Sequence, residues 1–275
     1  MSSLKKDRLK VKRISPKSSL LKGLVKYFWV LRSNAPVTLN HKLLPMSNVD
    51  LVLNFSSPTQ YLVGNQVIPV PDYSFCGIQS QHRTTKQSGE LNIFGVSFFP
   101  VGIYPLLKTP LSEYANQTID FNAEVRGFDS MLEHRLNPHG AASEQAAVLE
   151  ELLSQVIDVQ SIPDKNALGL IRAFKSSRDT QTVGSFCAEH GISQRRLERI
   201  FQKYIGTAPK SFKRIHRFQT IVNQLLKKVD EFTPLAYEHG FFDQAHFIND
   251  FKSLAGSSPK RFVEEKLSMR QVLHS

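Results

Sequence analysis

The chain has 275 residues, 41% of them hydrophobic, and a formal net charge of +11, which suits one large or two modest domains with real cores. Its apolar runs, such as LVKYFWVL at 24–31, are too short for membrane-spanning helices. The two cysteines, Cys76 and Cys187, lie far apart and exclude a disulfide framework or a CxxC metal site, and with no apolar leader at the N-terminus the expectation is a reduced, cytoplasmic protein with no membrane partner.

Residues 1–17 carry seven Lys or Arg and one acid and read as a basic flexible tail. Residues 18–125 read as a β-rich domain. The runs LVKYFWVLR, VDLVLNFS, TQYLVG, QVIPV, SFCGIQ and LNIFGVSFFP are rich in β-branched and aromatic residues, and SNAP, SSP, VPD and SGE punctuate them. Short strands at this spacing predict a small barrel-like or sandwich domain. A short helical stretch, broken by Pro105 and Pro110, follows at 101–116.

Residues 126–165 read as a helical connector. SEQAAVLEELLSQVIDV sets Val148, Leu149, Leu152, Leu153, Val156 and Ile157 on one stripe, covered either by the chain's own domain or by a twin in a homodimer. QSIPDKN (160–166) reads as a linker. Residues 166–275 predict an all-α domain, and their charge is informative. Residues 18–165 hold ten bases and thirteen acids, whereas 166–267 hold seventeen bases and ten acids. Basic regions at both ends point to a polyanionic partner, most often nucleic acid.

The C-terminal region writes one unit twice. EHGI at 189–192 matches EHGF at 238–241. Beyond the turn the offset lengthens by one residue, and Leu197, Phe201, Tyr204, Gly206, Pro209 and Phe212 then fall on Phe247, Phe251, Leu254, Gly256, Pro259 and Phe262. In each copy a first helix ends at a glycine, Ser193 or Asp243 caps a second helix, and that helix buries one stripe while leaving a polar face. In the first copy the stripe is Leu197, Ile200, Phe201 and Tyr204. This is a helix-turn-helix unit. The first polar face carries Gln194, Arg195, Arg196, Glu198, Arg199 and Lys203; arginine pairs with guanine O6 and N7 or with phosphate. A connecting helix, PKSFKRIHRFQTIVNQLLKK at 209–228, is long enough to hold the two units on successive major-groove faces.

GISQRRLERIFQKYIGTAPKSFKRIHRFQ followed by EHGFFDQAHFINDFKSLAGSSPKRF resembles the double helix-turn-helix domain of AraC/XylS-type transcription regulators. The resemblance covers residues 166–265 and implies base contacts from early, outward positions of both second helices. These are Arg195, Glu198 and Arg199 in one and Ala245, His246 and Asn249 in the other, flanked by Gln194 and Gln244. Phosphate contacts are expected from Arg196, Lys203, Lys210, Lys213, Arg214, Arg217 and Lys260. The N-terminal region resembles the β-rich sensor or dimerisation modules that precede such domains, with PMSNVD at 45–50 where many relatives read P-D-G-x-x-D. The resemblance implies a sequence-specific transcription regulator, with double-stranded DNA, a small-molecule effector, a homodimer and, for an activator, RNA polymerase as partners.

Catalytic signals are thin. The β-rich region holds only His41 and His82 and no HxH pair, and the chain has no G-x-S-x-G, Walker or GxGxxG motif. The expectation is therefore no metal, no cofactor and no enzyme. A DNA-tethered enzyme and a non-specific architectural DNA-binding protein are the competing readings.

Overall fold

A computed structural model describes residues 9–227 and 232–265. The chain is α+β, as expected. The strands are β1 (Leu9–Ile14), β2 (Val25–Ser33), β3 (Val37–Leu43), β4 (Val49–Asn54), β5 (Gln60–Val63), β6 (Gln66–Pro69), β7 (Tyr73–Cys76), β8 (Arg83–Gly89), β9 (Asn92–Phe98) and β10 (Thr118–Asp120). They form two open sheets rather than a closed barrel: a six-stranded sheet in the order β1-β2-β9-β4-β7-β10 and a four-stranded sheet in the order β3-β8-β5-β6. Turn chemistry and alternation announce strands; which strand pairs with which is decided by contacts far apart in sequence.

The basic tail is corrected in part. Residues 9–14 form an edge strand paired antiparallel with β2, from Leu9 opposite Ser33 to Ile14 opposite Phe28. Ile14 packs against the core, and the lysines at 10 and 12 stay exposed, where charge discourages pairing with another chain. Residues 1–8 of the expected tail lie outside the described residues.

Register places Phe28, Val96, Leu51 and Phe75 opposite one another across four strands of the large sheet. This row faces the main core. The adjacent row, Tyr27, Ser97, Asp50, Cys76 and Thr118, points to the other face and is largely polar. Helix α1 (Ser19–Lys22) and the short helices α2 (Tyr104–Leu107), α3 (Phe121–Glu124) and α4 (Phe128–Glu133) contribute buried residues to that core. So does α5 (Ala142–Val156), whose Leu149, Leu152 and Leu153 are fully buried there. The apolar stripe is thus covered by its own domain, and most of the expected connector belongs to the N-terminal core.

The expected linker is shorter than 160–166. A 3-10 turn spans Val159–Ser161, and α6 (Lys165–Ser176) starts at once behind its cap, Asp164, which accepts from Ala167 N at 2.8 Å. The C-terminal domain continues with α7 (Val183–Glu189), α8 (Gln194–Tyr204), α9 (Pro209–Leu225), α10 (Phe232–Glu238), α11 (Gln244–Ala255) and a helical segment at 259–265. Among the described residues, no helix is long and apolar enough to cross a membrane.

The N-terminal domain rests on both halves of the helical domain. Ile78 and Val101 join the cluster around Phe174, Phe186 and Phe201, and the Tyr104 and Tyr204 rings meet edge to face at 4.7 Å. Leu44 packs against the second cluster, and Ser47 Oγ donates to Gln219 Oε1 at 2.7 Å. The equivalent glycines of the two units are both contact points. A Cβ on Gly206 would lie 2.6 Å from the Leu111 carbonyl oxygen, and one on Gly256 2.3 Å from the His82 ring. Both also have positive φ, 92° and 71°, so any side chain there is strained twice over.

Candidate nucleic-acid interface

The two units repeat in their hydrogen bonds as well as in sequence. In the first, α7 ends at Gly191 (φ 61°) and Ile192 N donates to Cys187 O at 3.0 Å; in the second, α10 ends at Gly240 (φ 73°) and Phe241 N donates to Ala236 O, also at 3.0 Å. The Ser193 side chain then accepts from Arg196 N at 3.2 Å and the Asp243 side chain from His246 N at 2.7 Å, so each second helix is capped as the sequence requires. Phe201 and Phe212 sit 5.4 Å apart edge to face, and so do their counterparts Phe251 and Phe262.

Burial follows the stripe with one adjustment. Leu197 and Phe201 are fully buried, whereas Ile200 and Tyr204, expected to be buried, are partly exposed. Tyr204 lies at the contact with the N-terminal domain, beneath Lys203. Cys187 is buried, and desolvation raises its thiol pKa. It serves as a small core residue.

All eight residues expected to read bases are exposed: Gln194, Arg195, Glu198 and Arg199 on α8, and Gln244, Ala245, His246 and Asn249 on α11. The phosphate set divides. Arg196, Lys210 and Lys260 are exposed, and Lys210 and Lys260 hold equivalent places in first turns, where backbone N–H groups also favour an anion. Lys203 is exposed but packs over the rings of Tyr104 and Tyr204, at 5.4 and 5.0 Å, on the domain contact.

Three of the expected phosphate ligands have internal partners instead. Lys213 Nζ donates to Ser177 Oγ at 2.7 Å and to Gln181 O at 3.3 Å and lies over Phe174; desolvation lowers its pKa. It is a strut between α9 and the chain after α6. Arg214 and Arg217 both bind Asp250, at 2.7 and 3.4 Å, and Arg217 stacks over Phe241 at 4.2 Å. Asp250 stands where the first unit has Ile200. It replaces an apolar contact by an ionic one that ties α11 to α9.

A second polar contact was missed. The buried His239 lies between Asp179 (Nδ1 to Oδ2, 2.8 Å) and Gln224 (Nε2 to Oε1, 2.6 Å). Burial raises the Asp179 pKa, but the His239 hydrogen bond and the charges of His239, Arg217 and Lys213 outweigh it and hold the carboxyl below its usual range. Its counterpart His190 instead stacks on Phe186 at 4.0 Å. The matched EHG motifs could have pointed to the position, though not to the partner.

Residues 186–265 match the family described as Helix-turn-helix domain, and residues 12–120 match the one described as Domain of unknown function (DUF6597). No curated protein sequence matches this one. Among solved structures, ToxT from Vibrio cholerae is similar at 12% identity, over 94% of this chain and 98% of that one, with a TM-score of 0.45. An AraC-type DNA-binding domain-containing regulator from Chromobacterium violaceum is similar at 18% identity, over 40% of this chain and 96% of that one, with a TM-score of 0.33. The AraC-like transcriptional activator CuxR is similar at 16% identity, over 79% and 87%, with a TM-score of 0.28. With two capped helix-turn-helix units in tandem, a long helix between them and a family match spanning both, residues 186–265 form a helix-turn-helix domain and the chain is a DNA-binding transcription regulator.

Proposed function

We propose that one chain reads two adjacent major-groove segments of duplex DNA, α8 in one and α11 in the next. The observation that carries this is the pairing of two equivalent units whose outward faces are exposed while every other face of their second helices is packed. Between them α9, 17 residues long, spans about 26 Å at the helical rise of ~1.5 Å per residue. The pitch to be bridged is about 34 Å per turn of duplex. Arg195 and Arg199 supply guanine-directed donors; Gln194, Glu198, Gln244, His246 and Asn249 supply further polar contacts, and Ala245 an apolar one. Arg196, Lys210 and Lys260 bind phosphate and set the register.

The N-terminal domain acts as the regulatory module. A groove of about 530 Å³, lined by Tyr61, Ile68, His82, Arg83, Asn116 and Thr118 among others, supports small-molecule sensing, because His82 also touches Gly256 at the end of α11. A filled groove would bear directly on the second reading unit. In this reading the protein works in the cytoplasm, its N-terminal domain senses a ligand or mediates a homodimer, and RNA polymerase is a partner only if the protein is an activator.

The test is affinity for a duplex enriched by the full chain from a random pool, compared with unselected duplex at physiological salt. A preference of at least a thousand-fold is expected; a ratio near one would overturn sequence-specific reading.

A further inference from the structure

We propose that Phe242 is a DNA-reading residue that makes apolar contact with thymine methyl groups at the edge of the segment engaged by α11. This rests on the reading of α11 as a groove-entering helix and deepens it.

The repeat isolates the residue. Ile192 and Phe241 are equivalent, since each donates its N–H to the carbonyl five residues back at 3.0 Å. Ser193 and Asp243 are equivalent as caps. Nothing stands between Ile192 and Ser193, whereas Phe242 stands between Phe241 and Asp243. It is the single residue by which the second unit outgrows the first, and it lies in the turn that presents the reading helix.

A structural role for the ring is already filled. A large apolar residue just before an N-cap ordinarily packs on the fourth helical residue, here Phe247. That place is held by Phe241, 4% exposed, with its ring 5.3 Å from Phe247, 5.2 Å from His246 and 4.2 Å from the Arg217 guanidinium. Phe242 is left 86% exposed, the most of any large apolar residue described.

Its position selects the partner. In helix-turn-helix units the N-terminal end of the second helix meets the base edges, and Phe242 adjoins that end. The helix it precedes is poor in polar readers: Ala245 and Asn249 stand where α8 has Arg195 and Arg199. The one apolar feature a base offers in the major groove is the thymine methyl. An uncovered aromatic ring beside a weakly polar reading face therefore matches a thymine-bearing step.

The experiment uses the full chain, a duplex it enriches from a random pool, and the same duplex with single thymidines replaced by deoxyuridine. The native protein is expected to lose about four-fold in affinity for each contacted methyl removed. Phe242→Ser is expected to bind the normal duplex correspondingly more weakly and to ignore the same replacements. Phe242→Leu should keep the sensitivity, and all three proteins should melt alike. Phe242→Ser that binds as the native protein does, or stays equally sensitive at every thymidine, overturns the proposal. Unchanged binding with lost transcription would assign the ring to a protein partner instead. If the chain enriches no duplex at all, the DNA-reading role of α11 fails, and that of Phe242 with it.

Discussion

Replacing Asp250 by alanine tests how the second reading helix is held in place. Its side chain is 15% exposed and accepts from Arg214 Nε and Arg217 Nη2. Arg217 is 19% exposed, and its Nε has no hydrogen-bond partner among the described residues. Removing the carboxylate deprives that guanidinium over Phe241 of its ion-paired partner and leaves it only the charge of Asp179, beyond ion-pair distance. In a fully dry interior such a loss costs roughly 3–5 kcal/mol. Arg214, 41% exposed, regains water and belongs with surface pairs worth less than about 1 kcal/mol. Water reaches part of this site, which brings the expected cost to about 2 kcal/mol, or about 5 °C in melting temperature for a chain of this size. Thermal unfolding followed by circular dichroism, together with footprinting on a selected duplex, measures both consequences. Protection by α8 should persist while protection by α11 weakens. An unchanged melting temperature would refute the reasoning, and an unchanged melting temperature with altered base preference would make Asp250 a reader rather than a strut.

Arg199→Ala is expected to cost about 1–3 kcal/mol of specific binding and to relax preference at one base pair; site selection that returns the native preference at every position removes Arg199 from the reading set. Lys210→Ala should lower the slope of log affinity against log salt by about one, whereas Lys213→Ala should keep the slope and lower the melting temperature. Equal slopes for Lys210→Ala and the native protein would contradict that division. Asp50 gives a pH signature: burial lifts its carboxyl from 3.8 to about 6, against the opposing Ser97 hydrogen bond and the Lys26 charge. Because the folded value lies above the unfolded one, ionisation opposes folding by about 3 kcal/mol above pH ~6, and the penalty fades to nothing below pH ~4. Asp50→Asn should therefore be the more stable protein at pH 8, with the gap closing on acidification; a gap independent of pH would show that the carboxyl is not held up by burial.

The helix-turn-helix units were legible because their determinants are local. A glycine, a cap and a stripe at helical spacing fall within twenty residues, and each appears twice. The β-rich character of the N-terminal region was legible for the same reason. Sheet order was not, nor was the pairing of residues 9–14 with β2, because basic side chains on an edge strand look the same as those on a tail. Charge was the weakest guide. Lys213, Arg214 and Arg217 read as phosphate ligands along with Lys210, yet Lys213 is bound to Ser177 and both arginines to Asp250, each partner more than thirty residues away. A cation's sequence neighbours do not reveal whether water, phosphate or a distant carboxylate will face it.

The matched contacts at Gly206 and Gly256 bear on the geometry of the DNA site itself. With the N-terminal domain seated against both glycines and α9 continuous between the two units, a chain that reads two segments as proposed would measure its target like a caliper. One base pair added between the two recognised segments displaces the second by about 3.4 Å and turns it by about a tenth of a revolution around the duplex. A hinged protein would absorb that step by opening. This one has to break a glycine contact first, so its operators should tolerate changes of base far better than changes of spacing.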